Sequence, residues 1–223
     1  MSNTTAKCAL PLLMPAQAQK HVTVNDALMR LDGQIDLVLQ SLGRTTPPDT
    51  VVDGLLQLMG QARRDVLIIS PYFVPGPDME AAFAAARARG VRVRVLTNSL
   101  AANDVPLVHA GYRDYRAPLL AHGVQLYELK PGRRGPGREL IGSSGASLHT
   151  KAFVVDGQRG FVGSFNFDPR SLQLNTEMGL MIESPRLAQQ ISHSFDQTIP
   201  ALAYRISLNA QGQLRWHSGV GDP

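Results

Sequence analysis

From Val51 onward, short strand patterns alternate with helical patterns, and this alternation restricts the chain to a narrow set of folds. Val66–Ser70 reads as an apolar strand, and Val91–Leu96 and Val124–Leu129 read as further strands. Between them lie segments of helical character: Val51–Arg63, the Ala-rich Asp78–Arg89 ending at Gly90 (a C-cap glycine), and Val105–Ala121. Further on, Glu177–Glu183 reads as a strand, Arg186–Thr198 as a helix, and Tyr204–Leu208 with Leu214–His217 as a terminal strand pair. Strands that alternate with helices of this length build an α/β fold, a layered mixed β-sheet flanked by helices.

One segment in this frame carries chemistry. In His149-Thr-Lys151-Ala-Phe-Val-Val-Asp156-Gly157 an imidazole and an ammonium stand two residues apart in a run that reads as a β-strand. Alternate strand side chains share a face, so His149 and Lys151 are expected on the same side, about 7 Å apart. A nucleophile or base beside a fixed positive charge suits reaction at an anionic phosphate. Gly163-Ser164-Phe165-Asn166 follows, and then Glu177. Asp156-Gly157 separates two apolar runs, Ala152–Val155 and Phe161–Val162, so Asp156 reads equally as a hairpin-turn residue and as a chemical one.

The pattern His149-x-Lys151-x4-Asp156 with Gly-Ser-x-Asn after it resembles the phospholipase D superfamily signature. Ile69-Ser-Pro-Tyr-Phe-Val-Pro75, Val93 to Val105 with Asn98, Ser99 and Asp104, and Asn166-Phe-Asp-Pro-Arg170-Ser171 through Asn175-Thr176-Glu177-Met-Gly179 resemble one branch of it, the C-terminal half of bacterial cardiolipin synthase-like proteins. The resemblance runs from about Val51 to Trp216. It implies phosphodiester hydrolysis or phosphatidyl transfer on phospholipid through a phosphohistidine. His149 would be nucleophile or acid, Lys151 and Asn166 would hold non-bridging oxygens, Glu177 would orient the ring of His149, and Ser164 would be a further phosphate contact. Asp156 joins His149, Lys151 and Glu177 as a candidate catalytic residue through the motif. The scheme requires neither metal nor cofactor; the His and carboxylate spacings match no zinc signature, and one cysteine cannot build a thiolate site.

A complete two-motif member of that family carries a second His-x-Lys upstream, and this sequence contains one copy. Three readings follow. The site is completed by the same motif of a second chain in a homodimer. Alternatively, the chain is an inactive C-terminal half that needs a separate motif-bearing partner. The third reading is a single-motif nuclease, since the phosphohistidine chemistry is the same. Expected partners are accordingly a phospholipid or membrane surface, a second copy or a separate half, and nucleic acid as the remaining option. The net charge of +4 suits any anionic partner.

Other polar residues have plainer readings. His21, His109, His122, His193 and His217 have no partner at informative spacing, and His193 is expected on the solvent side of its helix. Asn98, Ser99 and Asp104 follow a predicted strand and either cap the helix after Val105 or belong to a site. Tyr72 and Phe73 end another strand and read as core or as substrate-stacking residues. The Gly/Pro-rich segment from Lys130 to Arg138 reads as a loop, either solvated or a basic flap that guides a phosphate or headgroup.

The first 42 residues follow another pattern. Pro11 to Asp32 resembles the opening of a family of phage-associated proteins of unknown function. Physically, the segment offers a capped helix from about Asn25 to Leu42, a helical N-terminal appendage. Residues 43–50, with Pro47-Pro48, behave as a linker to a phospholipase D-like domain over 51–223. No apolar run of about 18 residues is present, the N-terminus lacks the layout of a secretory signal, and Cys8 stands alone. These features point to a reducing, cytoplasmic setting, and the resemblance adds peripheral contact with the inner membrane surface.

Overall fold

The structure, a computed structural model, describes residues 51–132, 148–174 and 177–219. The expected appendage over 1–42, the linker over 43–50 and most of the basic 130–138 segment lie outside the described residues. The helices are α1 (Val51–Gln61), α2 (Gly76–Ala88), α3 (Pro106–Arg113), α4 (Arg116–Ala121), α5 (Pro169–Gln173) and α6 (Pro185–Leu202). The strands are β1 (Asp65–Ile69), β2 (Arg92–Asn98), β3 (Gln125–Leu129), β4 (Ala152–Val155), β5 (Arg159–Gly163), β6 (Gly179–Glu183), β7 (Ala203–Leu208) and β8 (Leu214–His217).

All eight strands form one mixed sheet in the order β6-β5-β4-β1-β2-β3-β7-β8. Strands β1, β2 and β3 run parallel, and every other pairing is antiparallel. The centre of the sheet is covered on both faces: β1 and β4 carry unbroken apolar runs, while β2 and β3 also bury Arg94 and Glu128. Along β1, Val66 and Ile68 pack into one core with Leu55, Met59, Met79, Phe83 and Leu119 from α1, α2 and α4. Leu67 and Ile69 point into the other, against Ala188, Phe195 and Ile199 of α6. The period of two along the strand thus assigns successive residues to opposite layers.

Local signals set the element ends. Gly90 follows α2 with φ of 81°, and its N–H reaches the Arg87 carbonyl at 2.9 Å. Helix α5 is capped by Asp168, which accepts the Ser171 N–H at 2.8 Å, and α6 by Ser184, which accepts the Leu187 N–H at 3.3 Å. The single helical run expected over 105–121 is interrupted between Arg113 and Arg116, and Pro118 lies in the first turn of the second piece. Ion pairs centred on two buried arginines brace the layers. Arg94, 1 % exposed, reaches Asp65 of β1 and Asp196 of α6, and Arg116 meets Glu128 at 2.6 Å. Among the described residues no helix is long and apolar enough to cross a membrane.

Candidate active site

Parallel β1, β2 and β3 end at Ile69, Asn98 and Leu129, and β4, antiparallel to β1, begins at this same edge with Ala152 paired to Ile69. Ligand sites of open α/β sheets gather at the carboxyl ends of the strands, and His149 and Lys151 lie at that edge. They precede β4 rather than forming part of it, which corrects the expectation that both stand within a strand. The ladder stops because β1 does: Ser70 turns its N–H to the Leu96 carbonyl at 3.0 Å, and Pro71 has no N–H to offer.

The lead-in to β4 is held by other means. Gly163 donates its N–H to the Lys151 carbonyl at 3.2 Å, and the Lys151 ammonium donates to the His149 carbonyl at 2.9 Å. The Leu148 N–H is taken by the Asn98 side chain at 2.9 Å. His149 itself is exposed, while Lys151 is half-buried. Burial pushes the Lys151 ammonium below the ordinary lysine value, against the opposing pull of Glu177, Asp104 and Asp168. These three carboxylates come from three different connections, so the tertiary fold gathers a negative shell around one cation.

Two of them have defined supports. Ser164 donates its hydroxyl to Glu177 at 2.5 Å and accepts the Met178 N–H at 3.0 Å, so this hydroxyl positions the carboxylate. Tyr72 donates to Asp104 at 2.9 Å, and burial together with that carboxylate pushes the phenol up to about 12. Asp104 therefore engages Tyr72 rather than capping a helix. The cap position of α3 falls on Val105, whose N–H goes to the Asn103 side chain at 2.9 Å. Phe73 is core, 1 % exposed, and bridges to Phe167.

Asn166 is 9 % exposed, and its Oδ1 has no partner within the protein. A buried amide oxygen in that state can accept a hydrogen bond from a ligand. The segment around it is fixed by Ser171, whose hydroxyl accepts the Asn166 N–H, and by Ser70, whose hydroxyl accepts the Phe167 N–H, both at 3.2 Å. Gly163 and Gly179 sit opposite each other across β5 and β6 beneath the Phe161 ring. A Cβ at Gly179 would lie 2.1 Å from that ring, and one at Gly163 would lie 2.5 Å from the Met178 carbonyl oxygen. The glycines next to Ser164 and Met178 thus let β5 and β6 approach closely enough for the Ser164–Glu177 bond.

Asp156 is placed apart from this group. It occupies the β4–β5 turn at the far end of β4, with φ of 56°, and its carboxylate accepts the N–H groups of Arg63, Arg64 and Asp65 at 2.8–3.2 Å. Burial pulls its carboxyl upward, but the three N–H donors outweigh this and hold it below the ordinary carboxylate value. Its contacts tie the α1–β1 connection to the hairpin. Four of the six expected site residues, Lys151, Ser164, Asn166 and Glu177, cluster at the carboxyl edge beside His149, whose exposed ring opens to solvent. Asp104, Tyr72 and Asp168 join them. The sequence signal for Asp168 was its place in Asp-Pro, which reads as a helix cap; its field on Lys151 required the fold. No three His, Cys, Asp or Glu side chains among the described residues converge as a metal-binding set.

Residues 55–199 match the family model described as "Cardiolipin synthase, PLD-like domain", more than half of the chain. The chain belongs to this family. Among curated relatives, cardiolipin synthase C of Escherichia coli is 49 % identical over 166 residues, 73 % of this chain and 35 % of that protein. Cardiolipin synthase A of Pectobacterium carotovorum is 36 % identical, covering 61 % of this chain and 25 % of its own length. The chain therefore spans about a third or less of these relatives. The phospholipase D family member Nuc of Salmonella typhimurium shares the fold with a TM-score of 0.52 at 21 % identity, over 78 % of this chain and 95 % of that one. NucT of Helicobacter pylori gives the same score at 18 % identity, over 68 % and 89 %.

Proposed function

We propose that this chain supplies half of a phospholipase D-type phosphodiester site that acts on phospholipid, completed by the same residues of a second copy. The observation that carries the reading is the half-buried Lys151 ammonium beside exposed His149, at a sheet edge where Asn166 presents an unpartnered amide oxygen. In the first step a ring nitrogen of His149 attacks phosphorus, the P–O bond to the leaving alcohol breaks, and the histidine of the second copy gives that alkoxide a proton. In the second step water or an acceptor alcohol attacks phosphorus, the second histidine takes the proton of the attacking hydroxyl, and the P–N bond breaks to restore His149. Lys151 neutralises charge on the non-bridging oxygens in both transition states. Glu177, held by Ser164, orients the imidazole and keeps the histidine pair in working tautomers. Asp156 acts through structure, by fixing the hairpin that follows the motif.

Phospholipid is favoured over nucleic acid because the relative at 49 % identity is named a cardiolipin synthase, whereas the likeness to Nuc and NucT is one of fold. The chain would then work at the inner membrane surface as a peripheral protein. The test sets phosphatidylglycerol vesicles beside single-stranded DNA, with His149→Ala as control, and follows the oligomeric state by light scattering. Lipid product from a dimer, abolished by His149→Ala, is the expected outcome; a monomer that turns over substrate, or turnover that survives the substitution, would end the homodimer scheme. The coverage of about a third of cardiolipin synthase C favours one second reading, in which the missing histidine comes from a separate motif-bearing half. Activity that appears only on mixing with such a half would select it.

A further inference from the structure

Asn98 ends β2, and its side chain is 1 % exposed. A buried carboxamide needs partners for its donor and its acceptor alike, and Asn98 finds them in Leu148, fifty residues on, and Pro71, twenty-seven residues back. Its Oδ1 accepts the Leu148 N–H at 2.9 Å, and its Nδ2 faces the carbonyl oxygens of Leu148 and Pro71, each at 3.4 Å. The residue immediately before His149 is thus gripped on its N–H and its C=O by one side chain. The Leu148 side chain, 1 % exposed, is seated in the core formed with Leu67, Ile69 and α6. This grip stands where a strand ladder would otherwise act, because β1 has ended at Ile69 and β4 does not begin until Ala152.

We propose that Asn98 is a positioning residue for His149: its carboxamide fixes the Leu148 backbone and so sets the point and direction from which the imidazole leaves the chain. The proposal rests on the phosphodiester reading for what His149 does, and on geometry alone for how His149 is held. An exposed imidazole has little packing of its own, so its placement depends on the backbone beneath it. A displacement of about 1 Å at a reacting group costs on the order of a hundred-fold in rate. Only a carboxamide offers both an acceptor and a donor here. An aspartate keeps the acceptor for the Leu148 N–H but turns a second lone pair toward two carbonyl oxygens, and protonation of that oxygen would restore a donor.

The test uses the full chain, labelled for NMR, as wild type, Asn98→Ala and the nearly isosteric Asn98→Asp. In Asn98→Ala, which removes the acceptor, the Leu148 amide should exchange about ten-fold faster or more, while Val95 and Leu126 in the sheet centre keep their protection. The ring signal of His149 should move or broaden with it. With bis(p-nitrophenyl) phosphate as probe, kcat should fall about ten-fold or more, with KM within about two-fold of wild type. The Asn98→Asp deficit relative to wild type should shrink as pH falls, and the Asn98→Ala deficit should not. Unchanged Leu148 exchange in Asn98→Ala overturns the proposal, as does loss of protection at Val95 and Leu126 equal to that at Leu148. Altered exchange and ring signals in a chain that cleaves no phosphodiester would uphold the positioning role and remove the catalytic reading instead.

Discussion

Ser164 donates its hydroxyl to the Glu177 carboxylate at 2.5 Å, across a gap that Gly163 and Gly179 keep narrow. The bond turns a residue of the Gly-Ser-x-Asn turn into a support for an acid thirteen positions on. Replacing Ser164 with Ala removes the donor and leaves Glu177 to find water. Turnover of phosphatidylglycerol is expected to fall about ten-fold, the lower end of what a positioned acid–base partner contributes. Steady-state kinetics on vesicles checks it, and Ser164→Thr, which retains a hydroxyl, should recover part of the loss.

Lys151 governs the alkaline limb. In the proposed mechanism its charged form is the one that holds phosphate oxygens, and burial lowers its pKa. Rising pH should therefore switch activity off below the range of an ordinary lysine, near 10.4. Asp104 opposes that lowering, so Asp104→Asn should move the limb to still lower pH. The profile of kcat/KM against pH decides; a limb that moves upward would sink this assignment of the field around Lys151.

Asp156 governs acid stability. Its folded pKa lies below the unfolded value near 3.9, so its contribution is present above that pH and is lost as pH falls through the folded value. Asp156→Asn tolerates the positive φ but lacks the charge that accepts three N–H groups. A loss of about 2 kcal/mol is expected near neutral pH, with the difference from wild type shrinking below about pH 4. Urea unfolding between pH 3 and pH 7 measures both.

Gly179 has no room for a methyl group, because the Phe161 ring occupies that volume. Gly179→Ala should destabilise by about 1–3 kcal/mol. Combining it with Phe161→Leu should cost less than the sum of the two single changes, since the second removes the obstacle to the first. Thermal melts of the four proteins form the cycle.

Glu128 and Arg116 form a buried pair that Trp216 joins by donating its indole N–H at 2.9 Å. Removing one charge strands the other, so Glu128→Ala is expected to lose about 3–5 kcal/mol. The double change Arg116→Met with Glu128→Leu should recover most of it. Equilibrium unfolding distinguishes the two outcomes.

Most strands and helices from Val51 onward were legible, β1 and β4 as apolar runs and α2 by its closing glycine, whereas the short α5 was not expected. Gly90, Asp168-Pro169 and Ser184-Pro185 act within a few residues of themselves, and local chemistry of that kind can be read from sequence. The 105–121 segment shows the limit. Its sequence reads as mostly helical, but the run divides between Arg113 and Arg116, ahead of Pro118, and Arg116 at the start of the second piece lies over the Tyr112 and Trp216 rings.

For the site, the sequence by itself determined the candidates, His149, Lys151, Ser164, Asn166 and Glu177, and left Asp156 open between a turn and the chemistry. Tertiary structure alone decided how they are used. It ended β1 at Ile69, so His149 and Lys151 stand outside the ladder, and it supplied Asn98 from β2 to grip the backbone there. It brought Asp104, Asp168 and Glu177 around one ammonium and sent Asp156 to the far end of β4. The physical reason is that an electrostatic field and a buried hydrogen bond depend on distance in space. The field on Lys151 draws on residues 17 to 47 positions away and the Asn98 grip on one fifty away, separations that no local pattern records.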